Sequence, residues 1–233
     1  MSCFLMIDTC GTRGSVAWQD SESRQGDHIE LEGRSYAETL MDAINQTIKM
    51  SGLELRDFSA LVVVNGPGSF TGIRVGVATV KGLSEASGVP IIAISRLAVM
   101  PWLKPERASP VQCVLDAGRG EFYYARFRDQ QNEFAPLTEY VLEREALMTR
   151  EELFETLRVA EGSVRAYEPS VLEALQPFHP IKLVQPLAQD ALVPATVAYL
   201  RKQFVDTALL DGHYLRKPDA ELFSKLKKYR ETA

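Results

Sequence analysis

Hydrophobic residues in the first part of the chain follow first a strand-like and then a helix-like spacing. Short apolar or alternating runs predict three strands, at residues 3–7, 15–19 and 28–31. A helix is predicted over residues 36–50 because apolar side chains recur there every three or four positions. The stripe of this helix consists of Ala37, Leu40, Met41, Ile44 and Ile48.

The segment from residue 61 to residue 95 predicts a strand, a turn, a helix and a second strand. An apolar strand at residues 61–64 enters the glycine-rich turn at residues 65–68. A helix is predicted over residues 71–87 and a strand over residues 91–95. Two strands joined through a helix are expected to be parallel, which indicates an α/β protein.

The predicted second helix is unusual in its glycines. Gly68, Gly72 and Gly76 recur every fourth residue and share one face. Each glycine inside a helix costs about 1 kcal/mol relative to alanine, so this face predicts the close approach of another backbone. One side of this helix faces its own sheet, and the other side is open either to the first helix or to a separate chain. We expect a partner interface built from the two helices. Its predicted residues are Leu40, Met41, Ile44, Gly72, Ile73, Gly76 and Val80.

The pattern starts again after a proline-rich segment at residues 101–110, which reads as a linker. Strands are predicted at 111–116, 121–127 and 137–142, and helices at 150–158, 169–175, 189–204 and 219–229. This repetition predicts two domains, residues 1–104 and residues 105–233. The second is the shorter copy, and the last helix is expected to pack back on the first domain.

The turn and helix that begin at residue 65 read NGPGSFTGIRVG and resemble the signature loop of the TsaB (YeaZ) family. The matching residues are Gly66, Pro67, Gly68, Ser69, Phe70, Thr71, Gly72, Arg74 and Gly76. Weaker matches cover residues 4–18, 111–127 and 214–216. The element order resembles a ribonuclease-H-like domain. The expected fold is therefore two ribonuclease-H-like domains of the actin, Hsp70 and sugar-kinase superfamily, the second one reduced.

The resemblance implies a function in making threonylcarbamoyladenosine on tRNA. The catalytic relative TsaD carries a metal-binding H-M-E-G-H segment, and in register with its two histidines this chain has Arg96 and Met100. Neither residue replaces an imidazole ligand. We therefore expect a non-catalytic scaffold that binds and activates a TsaD-like subunit, pairing through its N-terminal domain. The modified base would be the adenosine next to the anticodon of tRNAs reading ANN codons.

Two aspartates that end predicted strands, Asp8 and Asp116, allow two interpretations. In the superfamily that the fold resembles, such residues face a cleft that holds Mg-ATP. Alternatively, each carboxylate caps its own turn. We expect no tightly bound cofactor, with ATP or ADP and Mg at a site shared with the partner as an open possibility. The turn at residues 65–68 lacks the Lys and Ser/Thr of a Walker loop.

Composition narrows the classes of function. The net charge is −5, and only modest basic clusters occur near residues 216–230, so tRNA contact is expected only through a complex. The hydrophobic content of 45%, three scattered cysteines and the lack of a long apolar run or basic leader predict a cytoplasmic protein with no membrane contact. Expected partners also include a TsaE-like ATPase, and a homodimer when the chain is alone.

Two enzymatic alternatives remain open. One is a free-standing Mg-ATP-dependent small-molecule kinase that uses Asp8 and Asp116, although the second domain is short for a closing substrate pocket. The other is a peptidase, since the wider family was once labelled as glycoproteases. The sequence offers no nucleophile–base pair and no histidines at ligand spacing for it.

Overall fold

The computed structural model describes residues 2–23, 25–32, 36–104, 109–131 and 138–216. The predicted last helix at 219–229 lies outside these residues, as does part of the proline-rich segment. The described chain forms two five-stranded mixed sheets, each with helices. This confirms the expected α/β fold of two ribonuclease-H-like domains.

The first sheet has the order β3-β2-β1-β4-β5. Its strands are β1 (Cys3–Asp8), β2 (Arg13–Asp20), β3 (Gly26–Glu32), β4 (Ala60–Val64) and β5 (Ile91–Ile94). β1 to β3 form an antiparallel meander, and β4 and β5 continue the sheet parallel to β1. β4 is buried along its whole length, which explains why its sequence is an uninterrupted apolar run.

Helices cover both faces of the first sheet. α1 (Tyr36–Ser51) and α2 (Phe70–Ser87) contact each other on one face. On β2, a side chain at Gly14 would point toward Tyr36 of α1. The hydroxyl of the next residue, Ser15, accepts a hydrogen bond of 2.7 Å from the N–H of Ala188. Because neighbouring residues of a strand point to opposite faces, residues near Ala188 cover the other side.

The second sheet has the order β10-β9-β6-β7-β8 and repeats the topology of the first. Its strands are β6 (Val111–Gly118), β7 (Glu121–Gln131), β8 (Thr138–Thr149), β9 (Ser163–Ala166) and β10 (Ile181–Lys182). β8, β7 and β6 are antiparallel neighbours, and β9 and β10 are parallel to β6. The predicted strands are confirmed, although β8 continues well past its predicted end. β9 and β10 were missed because they are only four and two residues long.

The remaining helices are short. α3 (Arg96–Val99) follows β5, α4 (Arg150–Val159) follows β8, and α5 (Pro169–Ala174) follows β9. Turns of 3-10 helix occupy Leu55–Asp57, Met100–Leu103, Gln176–Phe178 and Ala188–Ala191. α5 has six residues where α2, at the equivalent place in the first half, has eighteen. The second copy therefore keeps all five strands but has shorter helices and shorter parallel strands.

The helix predicted over residues 189–204 is α6 (Leu192–Leu200), and it belongs to the first half in space. Its buried Ala195 and Ala198 are part of the core around β1, β4 and β5. This position differs from the simple division of the chain at residue 104, which itself stays a prediction. No helix among the described residues is long and apolar enough to cross a membrane.

The last described residues, Val205–Arg216, form a segment that we call the strap. Val205 pairs with Ile91 at the edge of β5, and the N–H of His213 donates to the carbonyl of Asn65 at 2.7 Å. The imidazole Nε2 of His213 lies 2.7 Å from Oε2 of Glu145 on β8. Arg216 donates a hydrogen bond to the carbonyl of Ala117. The strap therefore contacts both halves.

Candidate functional site

Gly72 and Gly76 of α2 pack against the turn between β1 and β2 of the same chain. A methyl group at Gly72 would overlap the carbonyl oxygen of Thr9, and one at Gly76 would overlap the hydroxyl of Thr9. That hydroxyl also donates a hydrogen bond of 2.7 Å to the carbonyl of Gly72. The close approach inferred from the glycine spacing is real, but the approaching backbone is the chain's own turn.

This contact corrects the predicted partner interface. Of its seven residues, only Met41 is exposed, at 45%. The other six are buried inside the first half: Leu40, Ile44, Gly72, Ile73, Gly76 and Val80. They face the sheet or the β1–β2 turn, since an amphipathic helix turns its apolar stripe to the core. These six residues therefore belong to the core of the first half and do not form an exposed surface.

A different row of α2 faces outward. Phe70, Arg74, Ala78, Gly82 and Ala86 follow one another every fourth residue, and all but the half-buried Phe70 are exposed. A methyl group on Gly82 would meet no atom within 4 Å, so nothing in the described chain requires a glycine there. We call Arg74, Ala78, Gly82, Ala86 and the exposed Met41 of α1 the outer helix face. The sequence analysis missed this row because its inference used the glycines at residues 68, 72 and 76, which share a different face of the helix.

A cleft of about 460 Å³ lies between the two halves. The first half contributes the β1–β2 turn, the side chain of Arg96 and the turn at residues 65–68 before α2, which we call the signature turn. The second half contributes Asp116, Tyr123, Tyr167 and Glu168. The equivalent turns after β1 and β6 thus line the same cleft.

Asp8 is buried and fully engaged by its own chain. Its Oδ1 accepts a hydrogen bond of 2.8 Å from the N–H of Cys10, and its Oδ2 lies 3.4 Å from Nη2 of Arg96. Both side chains are only 2% exposed. Burial is the largest single influence on Arg96 and opposes its charge, but Asp8, Tyr167, Cys10 and Glu168 together outweigh it, so the pKa of the guanidinium is raised. The first half therefore holds a buried ion pair at the end of β1.

Asp116 occupies the equivalent turn of the second half but is exposed. Its Oδ1 accepts from the N–H of Gly118 at 2.6 Å, and its Oδ2 accepts from the hydroxyl of Ser170 at 2.9 Å. Glu168 accepts from the N–H of Asp116 at 2.5 Å, and burial raises the pKa of Glu168. Both predicted aspartates thus cap their turns, which confirms that interpretation. Nucleotide binding at Asp8 and Asp116 stays a prediction.

The described residues contain no group of three or more His, Cys, Asp or Glu side chains placed to hold a metal ion. Cys10 and Cys113 are buried thiols whose pKa values are raised by desolvation, and the half-buried Cys3 has a pKa raised to about 11 by burial and the charge of Asp20. All three are free.

Comparison with known proteins identifies the family. A family model described as "TsaD: tRNA N6-adenosine threonylcarbamoyltransferase" matches residues 21–176. The tRNA threonylcarbamoyladenosine biosynthesis protein TsaB of Haemophilus influenzae is 30% identical over 201 residues, which cover 81% of this chain and 84% of that protein. The chain belongs to the TsaB (YeaZ) family.

Further relatives agree with this membership. TsaB of Escherichia coli is 35% identical over 132 residues, and this match spans 55% of the chain and about half, 56%, of that protein. The solved structure of YeaZ from Pseudomonas aeruginosa superposes with a TM-score of 0.75 at 25% identity. It covers 92% of this chain and 100% of that one. The TsaB fold therefore extends over nearly the whole chain.

Two residues of this chain align with the metal-binding histidines of TsaD in the resemblance described above. They lie on α3 and on the 3-10 turn after it. Arg96 is the first of these and Met100 the second, and both are buried. The backbone N–H of Arg96 donates to the carbonyl of Gly66 at 2.6 Å. In this TsaB-family chain, Arg96 therefore connects the signature turn to Asp8. Sequence reasoning found Arg96 only as a replaced histidine, because its partner Asp8 is distant in the chain.

Proposed function

We propose that this chain is a non-catalytic scaffold subunit in tRNA threonylcarbamoyladenosine biosynthesis. It binds a TsaD-like catalytic subunit and holds it in an active arrangement. The assembly transfers the threonylcarbamoyl group to the adenosine next to the anticodon of tRNAs that read ANN codons. Membership of the TsaB family, whose relatives carry the name of this pathway, supports the role.

The observation that carries the binding role is the outer helix face. Gly82 costs α2 about 1 kcal/mol of helix stability, and no contact in the described chain offsets that cost. The neighbouring Ala78 and Ala86 are also small, so a partner helix can approach α2 closely. Met41 adds an exposed, adaptable apolar side chain on α1. A protein partner that packs on α1 and α2 accounts for these features together.

The absence of catalysis is proposed from the residues at the TsaD-like positions. Arg96 and Met100 stand where that resemblance implies histidines, and the Arg96 guanidinium is held by Asp8. The same ion pair argues against the alternative of a free-standing kinase, because the carboxylate that would face a Mg-nucleotide already has a cationic partner. No contact in the described chain favours the peptidase.

The remaining parts of the proposal concern the assembly. A TsaE-like ATPase joins the complex, and ATP or ADP with Mg binds at a site shared with the partner rather than tightly to this chain. With a net charge of −5, the chain contacts tRNA only through the complex. Alone, it forms a homodimer through the same outer helix face. The proposed location is the cytoplasm.

A reconstitution tests the proposal. Transfer RNA, threonine, bicarbonate and ATP are combined with the adenylate-forming enzyme, the TsaD-like subunit and the TsaE-like ATPase, with and without this chain. The expected result is modified tRNA only when the chain is present, and none from the chain alone. Equal modification without the chain contradicts the scaffold role. Threonylcarbamoyl transfer by the chain alone contradicts the non-catalytic assignment.

The interface is tested in the same assay with Gly82→Arg. A long charged side chain on the outer helix face prevents close packing of another helix, so binding of the TsaD-like subunit and tRNA modification are both expected to fall at least about tenfold. Val159→Arg is the matched control, because Val159 is 85% exposed on α4 of the second half. Equal binding by both variants rules out the outer helix face as the docking surface.

A further inference from the structure

The guanidinium of Arg74 lies over an aromatic ring of its own chain. Its Cζ is 3.8 Å from the centroid of the Phe70 ring, one helical turn earlier on α2. The Phe70 ring in turn contacts Tyr214 of the strap, with the two centroids 5.1 Å apart and the ring planes at 48°. Arg74 is therefore the outer member of a stack that is anchored in the strap.

This contact restricts the position of the guanidinium over the ring. An arginine over a ring commonly stacks face to face, and its N–H groups, which lie in the plane of the guanidinium, then stay available for hydrogen bonds. Arg74 is exposed, and within the described part of the chain no carboxylate lies within ion-pair distance of it. An oriented guanidinium of this kind suits two parallel hydrogen bonds to a carboxylate.

The position of Arg74 connects this geometry to the outer helix face. Arg74 begins the exposed row that Ala78 and Gly82 continue at four-residue spacing. A partner helix that packs on these small residues passes beside the guanidinium and partly removes it from water. Partial desolvation strengthens a charge-assisted pair, and the stack has already fixed the rotamer, which reduces the entropy lost on binding.

We propose that Arg74 determines the specificity of this face by forming a bidentate pair with an aspartate or glutamate of the partner subunit. The inference rests on the proposed function, because it names the chemistry by which the docking surface recognises its partner. A protein carboxylate is the chosen ligand because the small residues beside Arg74 fit another protein backbone. Phe70 and Tyr214 act as positioning residues for the guanidinium.

Binding of the full-length chain to the TsaD-like subunit, measured by calorimetry without nucleotide, tests this proposal. Arg74→Ala is expected to weaken binding at least about tenfold. Arg74→Lys keeps the charge but loses the fork and is expected to recover only part of the affinity. Arg158→Ala on α4 is the matched control, because Arg158 is an exposed arginine of the second half. Thermal unfolding of each variant verifies that it folds.

Salt and charge reversal make the test specific for a carboxylate. Wild-type binding should weaken between about 0.1 M and about 1 M salt, while the Arg74→Ala variant should show a flatter dependence. Arg74→Glu should abolish binding, and one Asp→Arg or Glu→Arg substitution on the partner should restore it. If no such substitution restores binding, or if Arg74→Ala weakens binding only when ADP is added, the carboxylate assignment is overturned.

The outcomes separate this inference from the proposed function. If Gly82→Arg abolishes binding while Arg74→Ala binds like the wild type, the docking surface stands and the role of Arg74 is wrong. If neither substitution changes binding, both the surface and the role of Arg74 are wrong.

Discussion

The two halves of the molecule share a strand order but use the turn after their first strand in different ways. In the first half, Asp8 is buried and paired with Arg96. In the second half, Asp116 is exposed, and its partners are the N–H of Gly118 and the hydroxyl of Ser170. Both aspartates cap their turns, but the carboxylate belongs to a buried ion pair in one copy and is exposed in the other. Topology fixes where the turn lies, whereas the surrounding residues decide what its carboxylate does.

The largest expected difference between the halves follows from removing each charge in turn. Asp8→Asn leaves Arg96 buried without its counter-charge, which should lower the free energy of unfolding by roughly 3–5 kcal/mol. Asp116→Asn keeps an acceptor for the same turn in an exposed place and should cost about 1 kcal/mol or less. Denaturant unfolding of both variants measures the contrast. Equal losses would mean that the ion pair contributes no more than the cap.

A second pair of variants compares the buried and the outward side of α2. Gly72→Ala places a methyl group against the carbonyl of Thr9 and should lower the free energy of unfolding by about 1–3 kcal/mol. Gly82→Ala meets no atom within 4 Å and should raise it by up to about 1 kcal/mol. The two shifts, read from the denaturation midpoints, have opposite signs. Destabilisation by both substitutions would disprove the assignment of the two sides.

The smallest expected effect concerns the cleft carboxylate of the second half. Because burial raises the pKa of Glu168, the folded state binds its proton more readily than the unfolded chain does. Glu168 therefore increases the free energy of unfolding below pH 4.5, the ordinary pKa of its carboxyl group. This contribution is lost as the pH rises through the raised pKa of the folded state. Glu168→Gln should remove this loss, so it should be slightly more stable than the wild type near neutral pH.

Thermal unfolding of the wild type and of Glu168→Gln across the acid range measures that difference. The gap between the two proteins should narrow as the pH falls toward the ordinary pKa of glutamate. A gap that widens toward acid would show that Glu168 stabilises the fold as an anion, through the N–H of Asp116.

Much of the fold could be predicted from the sequence because its signals are local. The apolar runs that became β1, β4 and β6 and the helical stripe of α1 were each visible within a few residues. β9 and β10 were missed because strands of four and two residues carry too little periodicity. The packing of α6 on the first sheet was not predictable, since its apolar surface fits either core.

The candidate site was predictable only where one segment contains the signal. The glycine spacing correctly indicated a close contact, but Gly72 meets Thr9, which lies 63 residues away, and no local pattern identifies that neighbour. The pairing of Asp8 with Arg96 was hidden for the same reason. The row from Arg74 to Ala86 could have been found from its four-residue spacing, had the exposed side of α2 been considered.

The strap and α6 have a consequence for how the chain assembles during synthesis. The apolar surface beside β5 is completed by Ala195 and Ala198, and the edge of β5 is paired by Val205. A ribosome makes these residues only after all strands of the second sheet. The first half is therefore completed only after the second half has been synthesised. Until then, part of its core and one edge of its sheet are uncovered.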